Sequence, residues 1–189
     1  MSAHRFSPSK VHKLESPERY KRFPPKDLLT TLGVKYGDKV LDLGAGSGYF
    51  AIPAAELTKN TVYALDIEVK MLDVLKEKMN TKQLTNIELV TGRVEQIPLE
   101  DESVDYVVAS MILHEVDSLH EGLKEIHRVL KKGGRCLCLE WIKRESKQGP
   151  PIEHRIHHED MREAIEKRGY HNVELSFPSG SVYQVLFEK

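Results

Sequence analysis

VLDLGAGSGYF, residues 40–50, sets three glycines into five positions behind an apolar run that carries one aspartate. Glycine costs backbone entropy wherever it is ordered, so its use here means unusual dihedrals or the close approach of another group. An apolar stretch of strand length running into such a turn predicts a strand over Lys39–Leu43 and a helix over Tyr49–Leu57. Pro53 is expected to lie past that helix's first turn and to bend it.

Outward from this point, strand-like and helix-like segments alternate. Pro24-Pro25 opens a short helix that Gly33 closes. Strands are predicted over Thr61–Leu65, Ile87–Thr91, Val104–Ala109 and Arg135–Ile142. Helices are predicted over Glu68–Asn80 and Ser118–Lys131, the second ended by Gly133-Gly134, and near His158–Arg168, stopped by Gly169. Leu119, Leu123, Ile126 and Leu130 recur at helical spacing on one face. Two last strands, Val173–Phe177 and Val182–Phe187, flank the turn Pro178-Ser179-Gly180. Alternation of this kind implies parallel strands joined by helical crossovers, and runs such as KVLDL and VVAS suit strands covered on both faces. The fold class is α/β, a doubly wound sheet with an antiparallel hairpin at its end.

The chain has 189 residues, enough for one domain with a full core and no need of disulfide staples. We divide it into an arm over residues 1–23, polar, turn-rich and loosely structured, and a domain over residues 24–189. No apolar stretch reaches the ~20 residues of a membrane span, and the N-terminus lacks the apolar block of a secretory signal. Cys136 and Cys138, two apart in a strand, are expected on one face as reduced core residues of a cytoplasmic protein. Net charge is −1, yet residues 1–39 hold nine Lys/Arg against four Asp/Glu. That basic segment reads as a solvated arm; a near-neutral pI of 6.8 argues against a dedicated nucleic-acid binder.

In an open α/β sheet, ligands bind beyond the C-terminal ends of the strands, where a glycine turn and a helix N-terminus offer free N–H groups. Asp66 ends the second strand eighteen residues after Gly48, the interval at which an acidic side chain accepts from ribose hydroxyls. An adenosine ligand follows. The glycine spacing is not the dinucleotide one, because Tyr49 stands where its third glycine belongs, and no Walker lysine follows the turn. These points count against NAD and against ATP or GTP.

Taken in order, VLDLGAGSGYF, VYALDIEVKML, GRVEQIPLEDESVDYVVAS and EIHRVLKKGGRCLCLEW make the chain closely resemble the class I S-adenosylmethionine-dependent methyltransferases, over residues 24–189. Within that class it is similar to the small enzymes related to the ubiquinone/menaquinone and sterol methyltransferases. The resemblance implies a Rossmann-like sheet of seven strands ordered 3-2-1-4-5-7-6, the last antiparallel, and S-adenosyl-L-methionine as cofactor. It implies that Gly44, Ala45, Gly46, Ser47 and Gly48 line the methionine half and that Asp42 faces its amino end. Asp66 then takes the ribose hydroxyls and Ile67 packs on adenine. Where relatives often show Gly-Asp-Ala, this chain has Gly92-Arg93-Val94-Glu95. The contact to the adenine amino group therefore moves to Glu95, with the Val94 N–H facing the ring. Ser110 would face the transferred methyl. Tyr49 and Tyr20 are candidates to face the cationic sulfur.

Methyl transfer needs a base only where the acceptor must shed a proton first, and His114, four residues beyond Ser110, is the best-placed titratable group. The His154, His157 and His158 cluster reads as a basic helix entry, and no metal is expected. Amino-group and cytosine methylase signatures are missing after the fourth strand, where SMILHE stands. The expectation is methyl transfer by direct displacement to a small-molecule acceptor, nucleic acid being disfavoured, by a monomer or homodimer that needs no membrane. The alternatives are an RNA or protein methyltransferase and a non-catalytic S-adenosylmethionine-binding partner subunit. With little room for a lid between the fifth strand and the last helix, the arm or a second subunit is expected to cover the site.

Overall fold

The computed structural model describes residues 16–146 and 148–189. Seven strands form one sheet: β1 (Val40–Leu43), β2 (Val62–Asp66), β3 (Ile87–Thr91), β4 (Val104–Ser110), β5 (Leu130–Trp141), β6 (His171–Ser179) and β7 (Val182–Glu188). Their spatial order is β3-β2-β1-β4-β5-β7-β6. β1, β2, β3, β4 and β5 pair in parallel, while β7 runs antiparallel to both β5 and β6. Both the order and the reversed last strand agree with the expectation from sequence.

Strand alternation distributes the core between two faces. On one face Val40, Ala64, Val108, Leu137 and Leu139 pack with helices α2 (Pro25–Leu32), α3 (Ala51–Thr58) and α4 (Val69–Lys82). On the other, Leu41, Leu43, Val107, Ala109 and both cysteines pack with α5 (Leu119–Val129) and α6 (His158–Lys167). Cys136 and Cys138 are free thiols buried on that shared face, as their spacing predicts. Each large aliphatic group buried in this way contributes roughly 1.5–3 kcal/mol of transfer free energy.

Three local readings need correction. The arm is not all irregular: Pro17–Arg22 is a helix, α1, whose N-cap Ser16 accepts from the Arg19 N–H through its side chain; residues 1–15 of the arm lie outside the described residues. Proline sits at the first position of α1, where its missing N–H costs nothing. Pro53 does not lie past the first turn of α3: the helix starts at Ala51, so Pro53 is its third residue, between the Ile52 N–H, which donates to the Gly48 carbonyl, and the Ala54 N–H, which donates to the Phe50 carbonyl. Finally, α5 stops at Val129, and Leu130, with φ −67° and ψ 134°, already belongs to β5. Pairing of Leu130 with Val104 outweighs helix continuation, and an irregularity in that ladder absorbs Gly133 and Gly134 inside the strand.

α1 lies across the end of the sheet where β1 meets the glycine turn. The Arg19 guanidinium stacks 4.1 Å from the Tyr49 ring centroid, and the Tyr20 ring lies 4.7 Å from that of Tyr49. At its other end, Arg22 Nη1 donates to Ser181 Oγ in the turn before β7, at 3.4 Å.

Candidate cofactor and acceptor site

All three glycines of the turn have positive φ, 67° at Gly44, 54° at Gly46 and 90° at Gly48. Two are also sterically closed to side chains. A Cβ on Gly44 would lie 2.8 Å from Ile112, and one on Gly48 would lie 2.4 Å from Leu75 Cδ1. The turn is then tied to the neighbouring strand, the Ala45 N–H donating to the Leu65 carbonyl and the Gly46 N–H to Asp66 Oδ2, at 2.9 and 2.8 Å. Ser47 is buried, and its carbonyl accepts from Lys78 Nζ at 3.3 Å.

Asp66 closes β2 with both carboxylate oxygens engaged, Oδ2 by Gly46 and Oδ1 by the Glu68 N–H at 2.9 Å. Burial raises its pKa, while those two N–H groups pull it back. Each oxygen can accept a second bond, so the tether orients the side chain and leaves acceptor capacity for a diol. Ile67, the next residue, is one of the few large exposed apolar side chains, as a surface for a flat ring requires.

Asp42 is the most unusual group of the site. It sits in mid-β1, is 2% exposed, and its Oδ2 is buried with no hydrogen-bond partner among the described residues. Burial pushes its carboxyl up to about 7 and the charge of Asp66 adds to the rise, while the Ala51 N–H and the Arg19 guanidinium oppose it. An unsatisfied buried carboxylate costs free energy that a cation would recover. Ser110, ending β4, likewise has a buried Oγ without a partner. A glycine cradle, an unpartnered carboxylate and a tethered carboxylate on the next strand fit an ammonium group at one end of a ligand and a ribose at the other. The residues present thus suit S-adenosylmethionine.

Tyr49 is buried, donates through its hydroxyl to the Phe23 carbonyl at 2.7 Å and carries Arg19 on its face. Val94 is buried in the core. Glu95 is drawn to the same loop, but its Oε1 accepts the Asp117 N–H at 2.7 Å and Arg93 lies 3.6 Å away. Its carboxylate braces the loop after β3 against the start of α5. On the far side, His114 lies in a one-turn 3-10 helix, Leu113–Glu115, with Nδ1 2.7 Å from Oε2 of Glu140. His157 N-caps α6, accepting the Glu159 N–H, which is the helix-entry role expected for that cluster.

Two participants were not foreseen. Arg19 reaches the site from α1, and Glu140, 1% exposed, comes from β5. For Arg19 the available signal was Ser16-Pro17-Glu18, a helix start. For Glu140 it was a lone acid ending the apolar run CLCLEW, which burial obliges to find a partner.

The family model described as a methyltransferase domain matches residues 41–138, just over half of the chain. A structure of a SAM dependent methyltransferase from Aquifex aeolicus superposes with a TM-score of 0.88 at 30% identity, covering 97% of this chain and 98% of that one. The chain belongs to the class I S-adenosylmethionine-dependent methyltransferases. Among curated relatives, demethylmenaquinone methyltransferases of Staphylococcus epidermidis and Geobacillus stearothermophilus are 40% and 38% identical over 117 residues, 61% of this chain. The chain spans about half the length of those relatives, 48% and 50%. No described helix is long and apolar enough to cross a membrane.

Proposed function

We propose that this methyltransferase acts on a small-molecule acceptor by direct displacement, with the quinone-class substrates named for its relatives as the first to try. The observation that carries this reading is the buried Asp42 Oδ2, without a partner among the described residues, beside a glycine turn closed to side chains at Gly44 and Gly48. S-adenosylmethionine, when bound, supplies a methyl on a positively charged sulfur that is already electrophilic. The protein's task is then orientation and exclusion of water, and orientation alone can contribute up to ~7–11 kcal/mol. Asp42 holds the ammonium end, and Asp66 accepts from the ribose hydroxyls with the lone pairs its backbone tethers leave. Ile67 and the Val94 N–H meet the adenine. Glu95 joins them through Oε2, since its Oε1 is already bonded to Asp117. Ser110 lines the side where the methyl is delivered. α1, bridging Tyr49 and Ser181, acts as the cover of the cleft. The compact loop between β5 and α6, closed by Arg155, leaves space for an acceptor of modest size.

S-adenosylmethionine and S-adenosylhomocysteine are expected to raise the melting temperature, a ligand at 100 times its Kd adding ~2.7 kcal/mol, while NAD leaves it unchanged. A shift with NAD alone overturns the cofactor assignment. Tritiated-methyl transfer into a fractionated cell extract then tests the acceptor. Label in small metabolites supports the reading, and label confined to RNA or protein overturns it.

A further inference from the structure

β5 alternates its side chains between the two faces of the sheet, so Glu140 follows Cys136 and Cys138 on the face that packs with α5 and α6. The strand that buries two neutral thiols thus ends in an acid withdrawn from water, 1% exposed. Burial of such a group is costly unless its oxygens are partnered. Oε2 lies 2.7 Å from His114 Nδ1, Oε1 accepts the His114 backbone N–H at 3.3 Å, and Oε2 also accepts the Trp141 N–H at 3.3 Å. The carboxylate therefore grips His114 by ring and backbone together. A carboxylate can only accept, so in the neutral ring the proton sits on Nδ1 and the lone pair on Nε2, whose nearest carboxylate is Glu115 Oε1 at 3.8 Å.

The segment that carries His114 adjoins the glycine turn through Ile112. Ile112, two residues before His114, is the side chain that a Cβ on Gly44 would strike, and Ser110 with its unpartnered Oγ ends the strand leading to it. Burial opposes charging of the imidazole, but Glu140, helped by Glu115, outweighs burial and the opposing charge of Arg155, so the His114 pKa is raised. Cys138 and Tyr183, which feel the same carboxylate, are held neutral by burial. Among the described residues, the charged side chains that act on the ring are Glu140, Glu115 and Arg155.

We propose that Glu140 is a positioning residue that presents His114 Nε2 to a hydroxyl proton of the methyl acceptor, which makes that acceptor a phenol or enol. In this step the acceptor's O–H bond breaks and its electron pair stays on oxygen. The proton bonds to Nε2, and the resulting imidazolium is balanced by Glu140 until the proton passes to solvent. The oxygen, or a ring carbon conjugated with it, is thereby made nucleophilic. The inference rests on the reading of the chain as a small-molecule methyltransferase.

The test uses the full chain with 15N-labelled histidine, alongside S-adenosylhomocysteine calorimetry, which reports the cofactor half by itself. In the wild type, His114 should be the Nδ1–H tautomer with a pKa above that of free imidazole. Glu140→Gln should lower it by about 1–3 units, and Glu140→Asp should restore most of the shift. If Glu140→Gln does not fold, the Glu140→Asp and wild-type spectra decide the tautomer. With S-adenosylhomocysteine bound, 4-nitrophenol is the acceptor probe, because its ionised form absorbs in the visible. It should bind ionised to the wild type and neutral or not at all to His114→Gln. An Nε2–H tautomer, an unmoved pKa in Glu140→Gln, or a probe that binds neutral to the wild type or fails to bind overturns the proposal. Loss of S-adenosylhomocysteine binding in the wild type would instead overturn the parent reading.

Discussion

The glycine turn offers its backbone: the Ala45 N–H donates to the Leu65 carbonyl and the Gly46 N–H to Asp66 Oδ2, the Ser47 carbonyl accepts from Lys78, and side chains are excluded at Gly44 and Gly48. Around His114 the contacts are made by side chains from segments 26 residues apart in the chain. The first region is fixed largely by the conformation of the turn itself. The second is assembled by tertiary packing and can be altered by changing a few side chains. Regions built in these two ways would diverge at different rates in sequence, and substitutions should affect them differently.

The largest effect is expected at Gly48. Gly48→Val adds positive-φ strain and drives a branched side chain into Leu75, which is fully buried and cannot withdraw. The cost should be ~2–4 kcal/mol, read as a lower melting temperature together with loss of S-adenosylhomocysteine binding. Retention of both would mean that the turn tolerates side chains and that the contrast with the His114 region is false.

Asp42→Asn should separate binding from stability. Removing the charge of a buried carboxylate whose Oδ2 lacks a partner among the described residues should leave the ligand-free protein as stable or more so at neutral pH. It should also weaken S-adenosylhomocysteine binding by ~1.5–3 kcal/mol, as for a lost bond to a charged group. The pH dependence carries a sign. The folded pKa of Asp42 is raised from 3.8 to about 7, so its contribution to ligand-free stability is full below pH ~4 and is lost as pH rises through 7. Affinity for the ammonium-bearing ligand runs the opposite way, strengthening as pH rises through 7. Calorimetry across that range in wild type and Asp42→Asn checks both slopes, and a flat wild-type profile would remove Asp42 from the ammonium end.

Asp66→Ala should weaken ligand binding by at least ~1.5 kcal/mol and loosen Gly46 and Glu68, whose N–H groups it holds. Unchanged binding would place the ribose elsewhere. The smallest effect is expected from Arg19→Ala, which removes a cation stacked on Tyr49 worth roughly 0.5–1 kcal/mol. It should leave the melting temperature within a few degrees and accelerate ligand dissociation, measured by stopped-flow exchange, because α1 covers the cleft less firmly.

The same division explains what could be read in the sequence. Gly44, Gly46, Gly48 and Asp66 were legible because backbone demands are local and leave a fixed spacing. The order of the strands came from resemblance to a family, since pairing partners are not local. The end of α5 was misplaced because Leu130 continues the helical spacing, and only its pairing with Val104 turns it into strand. Pro53 was misread by two residues of helix boundary. Glu140 was hidden because a strand residue's partner lies on another element, although an acid in an apolar run signals that one must exist. Glu95 shows the converse: its place in the loop after β3 was legible, but its bond to Asp117 was not.

One residue governs how freely the connection between β5 and α6 can vary. The Arg155 guanidinium donates to the carbonyls of Ile142, Arg144, Gln148 and Pro150 and to Ser146 Oγ, gathering the connection between β5 and α6 into a single knot. A lysine has too few donors and no planar fork to replace it. Anyone who transplants or redesigns this connection to alter specificity must carry the arginine with it. Without it, four carbonyls would need new donors at once, and the segment would have to be reinvented rather than retuned.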